Sequence, residues 1–156
     1  MNISHDDFLL FVDRALDGML GIVEGLGDDL ANTTPDLPGA NSPYAILYHS
    51  VAVCHYWIGV LLADRAFKRD RASEFTAEGK AADLRLSVTE LKRQLREDIQ
   101  HVQGDKPLAT GPNQQYSPLP AEFQDWTQGA ALIHTLEELA QHHGQMELTR
   151  DILLKA

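Results

Sequence analysis

The stretch TQGAALIHTLEELAQHHGQMELTRDILL, residues 127–154, decides how this chain folds. Laid on a helix at about 100° per residue with His134 at zero, Leu132, Leu136, Leu139 and Met146 gather at about 120–200°. Those four make a core face. Glu137, Glu147 and Asp151 gather at about −60° to −140° on the same projection, which makes a solvent face. Between the two runs a lane of His134, Glu138 and His142, each four residues from the next, with Gln141 and Gln145 alongside. The lane turns apolar at its ends, with Ala130 and Ala131 before it and Leu148 and Ile152 after it. A polar patch inside an otherwise apolar lane needs partners. Imidazole and carboxylate are donors that a borderline cation such as zinc accepts, so a metal would satisfy the patch. A solvated helix face is the other reading of the same spacing. His143 points to the core side and reads as a packed, hydrogen-bonded histidine.

Three more helical stretches precede this one. The first starts at Ser4, a good cap, and carries Phe8, Phe11, Val12, Ala15, Met19 and Val23 at helical spacing until the Gly25/Gly27 pair. Ser42-Pro43 pairs a cap with proline at the first helical position and opens a second helix, expected to reach Asp64. A charged connector, residues 65–79, contains RDRASEF. A third helix over residues 81–102 sets leucines 84, 91 and 95 among dense charges, so one side is solvated. Residues 104–123 then form a loop rich in Pro, Gly, Gln and Asn, unusually long for a compact domain and often a sign of function. No strand-like alternation competes. The expectation is an all-α chain forming one domain, a four-helix bundle with a long crossover.

Composition narrows the partners. With 13 basic against 23 acidic residues the net charge is −10, which argues against nucleic acid and anionic membranes. No apolar run approaches the roughly 20 residues of a membrane span, and the acidic start MNISHDDFLL is unlike a signal peptide. The single cysteine, Cys54, can make neither an internal disulfide nor a thiolate zinc knuckle, and a reducing cytoplasm is the expected location. Consecutive Phe8, Leu9, Leu10 and Phe11 exceed what one core face requires, so a homodimer is expected.

A further ligand for the lane would come from a facing helix. PYAILYHSVAVCHYWIG, residues 43–59, sets His49 within an apolar run, where a histidine is either a satisfied core residue or a ligand. Tyr56 and Trp57 fall within about 20° and about 80° of His49 and would flank the site. Cys54 and His55 lie about 140° and about 120° away, and Cys54 reads as a small buried hydrophobe.

Taken together, PYAILYHSVAVCHYWIG, RDRASEF, Trp126 and HTLEELAQHHGQMELTRD resemble the DinB/YfiT-like metalloprotein superfamily. The likeness is closest to its mycothiol-dependent transferase and maleylpyruvate isomerase branch. It spans residues 43–154, and its most specific part is the E-x-x-x-H-x-G-[HQ] core followed by Arg150. The resemblance implies a bundle holding a divalent metal, usually zinc or nickel, through His49, Glu138 and His142. Gln145 stands where many relatives carry histidine. His134 becomes a residue behind the ligands, a substitute ligand, or a proton shuttle in catalysis. Tyr56, Gln141 and Gln145 are expected to orient the ligands, and Tyr56, Gln145 and Arg150 to contact the cofactor thiol. For Arg150 a salt bridge is the alternative role. RDRASEF reads either as a solvated connector or as contact for an acidic substrate group. The long loop, with Gln114 and Tyr116, is a candidate lid.

The activity so implied joins a low-molecular-weight thiol such as mycothiol, activated on the metal, to a small electrophile. Two other functions fit the same residues: a hydrolase using metal-bound water, and a non-catalytic, dimeric, stress-associated binding protein.

Overall fold

The computed structural model describes residues 3–108 and 111–155. Among them the elements are helices α1 (His5–Ala31), α2 (Pro43–Cys54), α3 (Arg71–Glu74), α4 (Ala81–Asp98) and α5 (Gln128–Leu153), with short 3-10 turns and one isolated bridge, Pro107 to Thr127. The chain is an all-α bundle. Helix α1 packs against α4 and α5, and α2 against α5, α1 and α4, so the four long helices close on one core. No described helix is long and apolar enough to cross a membrane.

The helix starts follow their local chemistry. The Ser4 hydroxyl accepts the Asp7 N–H at 3.0 Å, and Asp7 Oδ2 returns a bond to the Ser4 N–H. Ser42 accepts the Ala45 N–H at 3.2 Å ahead of Pro43, and Thr127 accepts the Ala130 N–H at 3.1 Å. Helix α1 outruns its expected end. Gly27, at φ 73°, breaks the regular helix, and the chain then resumes helical structure through Ala31. In the core, Leu16, Met19, Ile46, Leu47, Leu84, Leu91, Leu95, Leu139 and Met146 are all essentially inaccessible. Within the α1 run Phe8 and Leu9 are buried, while Leu10 and Phe11 face outward at 61% and 54% exposure.

Two departures from the expected pattern shape one end of the bundle. Helix α2 does not continue as a regular helix to Asp64. Over His55–Val60 it widens into a π-helical turn, with Leu61 N–H bonded to Tyr56 O and Ala63 N–H to Ile58 O. Tyr56 and Trp57 are both buried there, in a small apolar cluster with Val53, Val60, Leu61, Leu108 and Ala131. The lane on α5 also differs from its sequence pattern beyond His142. Leu148 and Ile152 are exposed, at 68% and 40%, so the lane runs out to solvent at that end. The buried stripe of α5 is Ala131, Thr135, Leu139, Met146, Thr149 and Leu153. At about 100° per residue it spans about 60–140° from His134, as wide as the face the leucines suggested but turned about 60° toward the lane.

The crossover loop returns to α5 through close backbone contacts. Gly129 N–H bonds Gly104 O at 3.0 Å, and a Cβ on Gly129 would lie 2.7 Å from that oxygen. Residues 109 and 110 of the expected 104–123 loop lie outside the described residues, as do the first two of the N-terminal run. Past that point Asn113 N–H and side-chain amide bond Asp64 Oδ1 and O at 3.0 and 2.7 Å. Asp64 itself has φ 51°. Gly111 leaves room for its carboxylate, since a Cβ there would come within 2.1 Å of Asp64 Oδ1.

Candidate metal centre

In the regular part of α2, ahead of the widened turn, one side chain meets two from α5. His49 of α2 and Glu138 and His142 of α5 each offer a donor atom, and these atoms lie within 4.8 Å of one another. His142 Nε2 lies 3.6 Å from Glu138 Oε2, an ion pair rather than a hydrogen bond. The His49 and His142 rings meet edge to face with centroids 4.8 Å apart. His49 is buried, whereas Glu138 and His142 are part-buried, so the cluster is open on one side.

Each imidazole is held from behind. His49 Nδ1 bonds Glu74 Oε2 at 2.6 Å, and Arg69 grips both oxygens of Glu74, Nε to Oε1 at 2.8 Å and a terminal nitrogen to Oε2 at 3.1 Å. Phe75 stacks on the His49 ring at 4.8 Å. His142 Nδ1 donates to Gln145 Oε1 at 3.1 Å. Both histidines therefore engage Nδ1 behind the cluster and leave Nε2 on the side of the shared space, where that of His142 lies beside Glu138. The charges agree with this arrangement. Burial pushes the Glu74 carboxyl up, but hydrogen bonds from His49 and Arg69 and the Arg69 charge outweigh it and leave it below the usual range. The approach of His142 holds Glu138 below the ordinary carboxylate value despite burial, and Glu138 in turn raises His142.

A cavity of about 430 Å³ opens over the cluster. Its floor includes His49, Glu138 and His134, and its walls are Val53, Tyr56 and Trp57 of α2, Arg69 and Arg71 of the connector, and Tyr116 to Phe123 of the crossover loop. The loop is fastened in place: Tyr56 donates its hydroxyl to Pro118 O at 3.0 Å, and Ser117 Oγ accepts the Arg69 N–H and donates to Phe67 O. His134 sits among aromatic rings, edge to face with Trp57 at 4.7 Å and Trp126 at 5.3 Å, with Phe123 at 6.0 Å. Its nitrogens face Glu137 at 3.2 Å and Glu138 at 3.8 Å.

The structure thus brings together His49, Glu138, His142, His134 and Tyr56, and sets Gln145 behind His142. It does not bring Arg150 to them. Arg150 pairs with Asp151 and lines a separate groove against Gly18, Gly21 and Gly25 of α1. Gln141 is exposed and bonds Glu137, not a donor of the cluster. Gln114 is buried but does not line the cavity, whereas Tyr116 does. His55 lies on the opposite side of α2 against Phe67, and Cys54 is fully buried with its thiol pushed up to about 12 by burial. His143 packs where Gly18 leaves space, since a Cβ on Gly18 would meet its ring at 2.3 Å.

The residues that sequence reasoning missed are in RDRASEF. Glu74 is 2% exposed, so the solvated-connector reading of that segment fails at this one residue. A buried histidine offered as a ligand needs an acceptor for its other nitrogen. That requirement was the available signal for an acidic residue nearby.

Two imidazole nitrogens and one carboxylate, open to a cavity on one side, suit a divalent cation with a remaining coordination position. A helical bundle carrying this donor set agrees with the DinB/YfiT-like resemblance of the sequence, and the family match bears that class out. Over residues 7–154 the chain matches the family described as mycothiol-S-transferase, and it belongs to that family. No curated protein and no solved structure matches it.

Proposed function

We propose that this protein is a divalent-metal-dependent thiol S-transferase that joins mycothiol, or a similar low-molecular-weight thiol, to a small electrophile. Zinc or nickel would be held by His49, Glu138 and His142. The observation that carries the reading is the convergence of those three donors beside a cavity that His49 and Glu138 line, in a chain of the mycothiol-S-transferase family. A bound cation of this kind lowers the pKa of a thiol, so the nucleophilic thiolate forms near neutral pH.

The chain's own residues divide the remaining work. Forming the carbon–sulfur bond requires that the thiol proton go to a base. His134 lines the cavity, with its ring nitrogens 3.2 Å from Glu137 and 3.8 Å from Glu138, and is the imidazole placed to take that proton. Trp57, Phe123 and Pro120 present an apolar wall that excludes water and receives the non-polar part of an electrophile. Arg71 adds positive charge at the same cavity. Tyr56 serves by pinning the loop through Pro118. The sulfur comes from outside, because Cys54 is buried and its thiol is protonated.

The test combines metal content with turnover. About one equivalent of zinc or nickel, lost in His49→Ala and His142→Ala, together with thiol-dependent consumption of an electrophile, is the expected result. Turnover without thiol would replace the transferase with a hydrolase. A protein that takes up no metal after reconstitution would overturn both enzymes.

A further inference from the structure

We infer that Glu74, clamped by Arg69, is the positioning residue that fixes the proton of His49 on Nδ1 and commits its Nε2 to the metal cluster. The inference rests on the metal-site reading above for its consequence, though not for its geometry. Three observations support it. Glu74 is as buried as the ring it serves, with each side chain 3% exposed, and the bond between them is 2.6 Å. Arg69 donates to both Glu74 oxygens, so the carboxylate meets His49 as an acceptor and the ring nitrogen must donate. The Phe75 ring stacked on His49 blocks the ring from turning over. An imidazole so fixed presents only Nε2 to the open side.

The same segment is tied to the crossover loop. Arg69 N–H donates to Ser117 Oγ, and the Arg69 guanidinium lies over the Tyr56 ring at 5.4 Å. Residues 69–75 therefore hold a candidate ligand with their side chains and dock the cavity's roof with their backbone. That is the work of a connector with a built-in function, not of a spacer.

The experiment uses the metal-free full chain and zinc as the probe. In the native protein, long-range proton–nitrogen correlation spectra should show His49 as the Nδ1–H tautomer. Glu74→Gln keeps the shape but offers an amide that can donate, so the tautomer should shift. Zinc affinity should then fall about 10- to 100-fold, the usual cost of losing such a partner. Arg69→Met, which leaves the carboxylate in place, should give a smaller loss in the same direction and serves if Glu74→Gln does not fold. An unchanged tautomer in a folded variant overturns the inference. So does a shifted tautomer with unchanged zinc affinity. If the native protein bound no zinc, the metal reading would fall, and the tautomer shift alone would decide what Glu74 does to His49.

Discussion

Two clusters of charge hold helices together in this molecule, and they are built on opposite principles. Along the α1–α4 seam Lys92 reaches Asp17 at 2.8 Å and Asp13 at 3.6 Å, and Arg96 also bonds Asp13. Asp17 and Arg96 are 61% and 49% exposed, and Lys92 and Asp13 between them are part-buried. Beside the cavity, Arg69, Glu74 and His49 make a chain of bonds that is almost wholly buried. Exposed pairs gain little because water and salt screen them. Buried groups left without a partner cost far more. The seam decorates a fold that apolar packing already specifies, while the buried chain is the precondition for a site.

Several substitutions would break or sharpen that contrast. His49→Ala and His142→Ala should abolish stoichiometric metal binding by elemental analysis, whereas Arg96→Ala and His143→Ala should keep it. Loss of metal in Arg96→Ala would show that the two clusters are not independent. His134→Asn should lower thiol-transfer kcat by about 10²- to 10⁴-fold with metal content intact, the range expected for losing an acid–base group. Glu74→Ala should cost about 3–5 kcal/mol in urea unfolding, because it strands buried partners. Lys92→Ala should cost about 1 kcal/mol or less in the same assay. Equal costs for Glu74 and Lys92 would erase the distinction.

A smaller effect follows from His55, which lies on the side of α2 away from the cluster. Burial, aided by the Arg65 charge, lowers its pKa against an opposing pull from Glu90. Its folded pKa is below its unfolded value, so the stability of its neutral form is complete above about 6.5. That stability is lost as pH falls from there through the folded pKa. In metal-free protein His142, raised by Glu138, pulls the other way over the same window, so the variant carries the test: His55→Leu should lose less urea resistance than the native chain between pH 7.5 and pH 5.5. An identical pH response in the variant would show that His55 does not contribute.

What the sequence made legible is what is encoded locally. Ser4, Ser42-Pro43 and Thr127 announce helix starts because capping involves residues three apart. Glu138 and His142 were legible for the same reason, since period-four spacing places them on one face. His49 needed the family likeness to single it out from ordinary core histidines. Glu74 was hidden because its partner lies 25 residues away, and nothing in RDRASEF says that the segment folds back over α2. Gln145 was expected both to orient the ligands and to contact the thiol, and its bond to the Nδ1 of His142, one helical turn back, is of the first kind. Arg150 shares a helix with the cluster but faces α1, which the assigned cofactor role did not anticipate.

The π-helical turn at His55–Val60 carries a consequence for how this chain can change over evolutionary time. Five residues per bonded turn, rather than four, means that α2 contains one residue more than a regular helix needs. Deleting one residue there would let a regular helix close and leave the chain beyond it in nearly its present phase, with the loss taken from the residues of the turn itself. The extra residue is slack in the helix: substitutions within the turn change the wall of the cavity, whereas a single deletion takes a residue out of that wall and leaves the rest of the bundle in register.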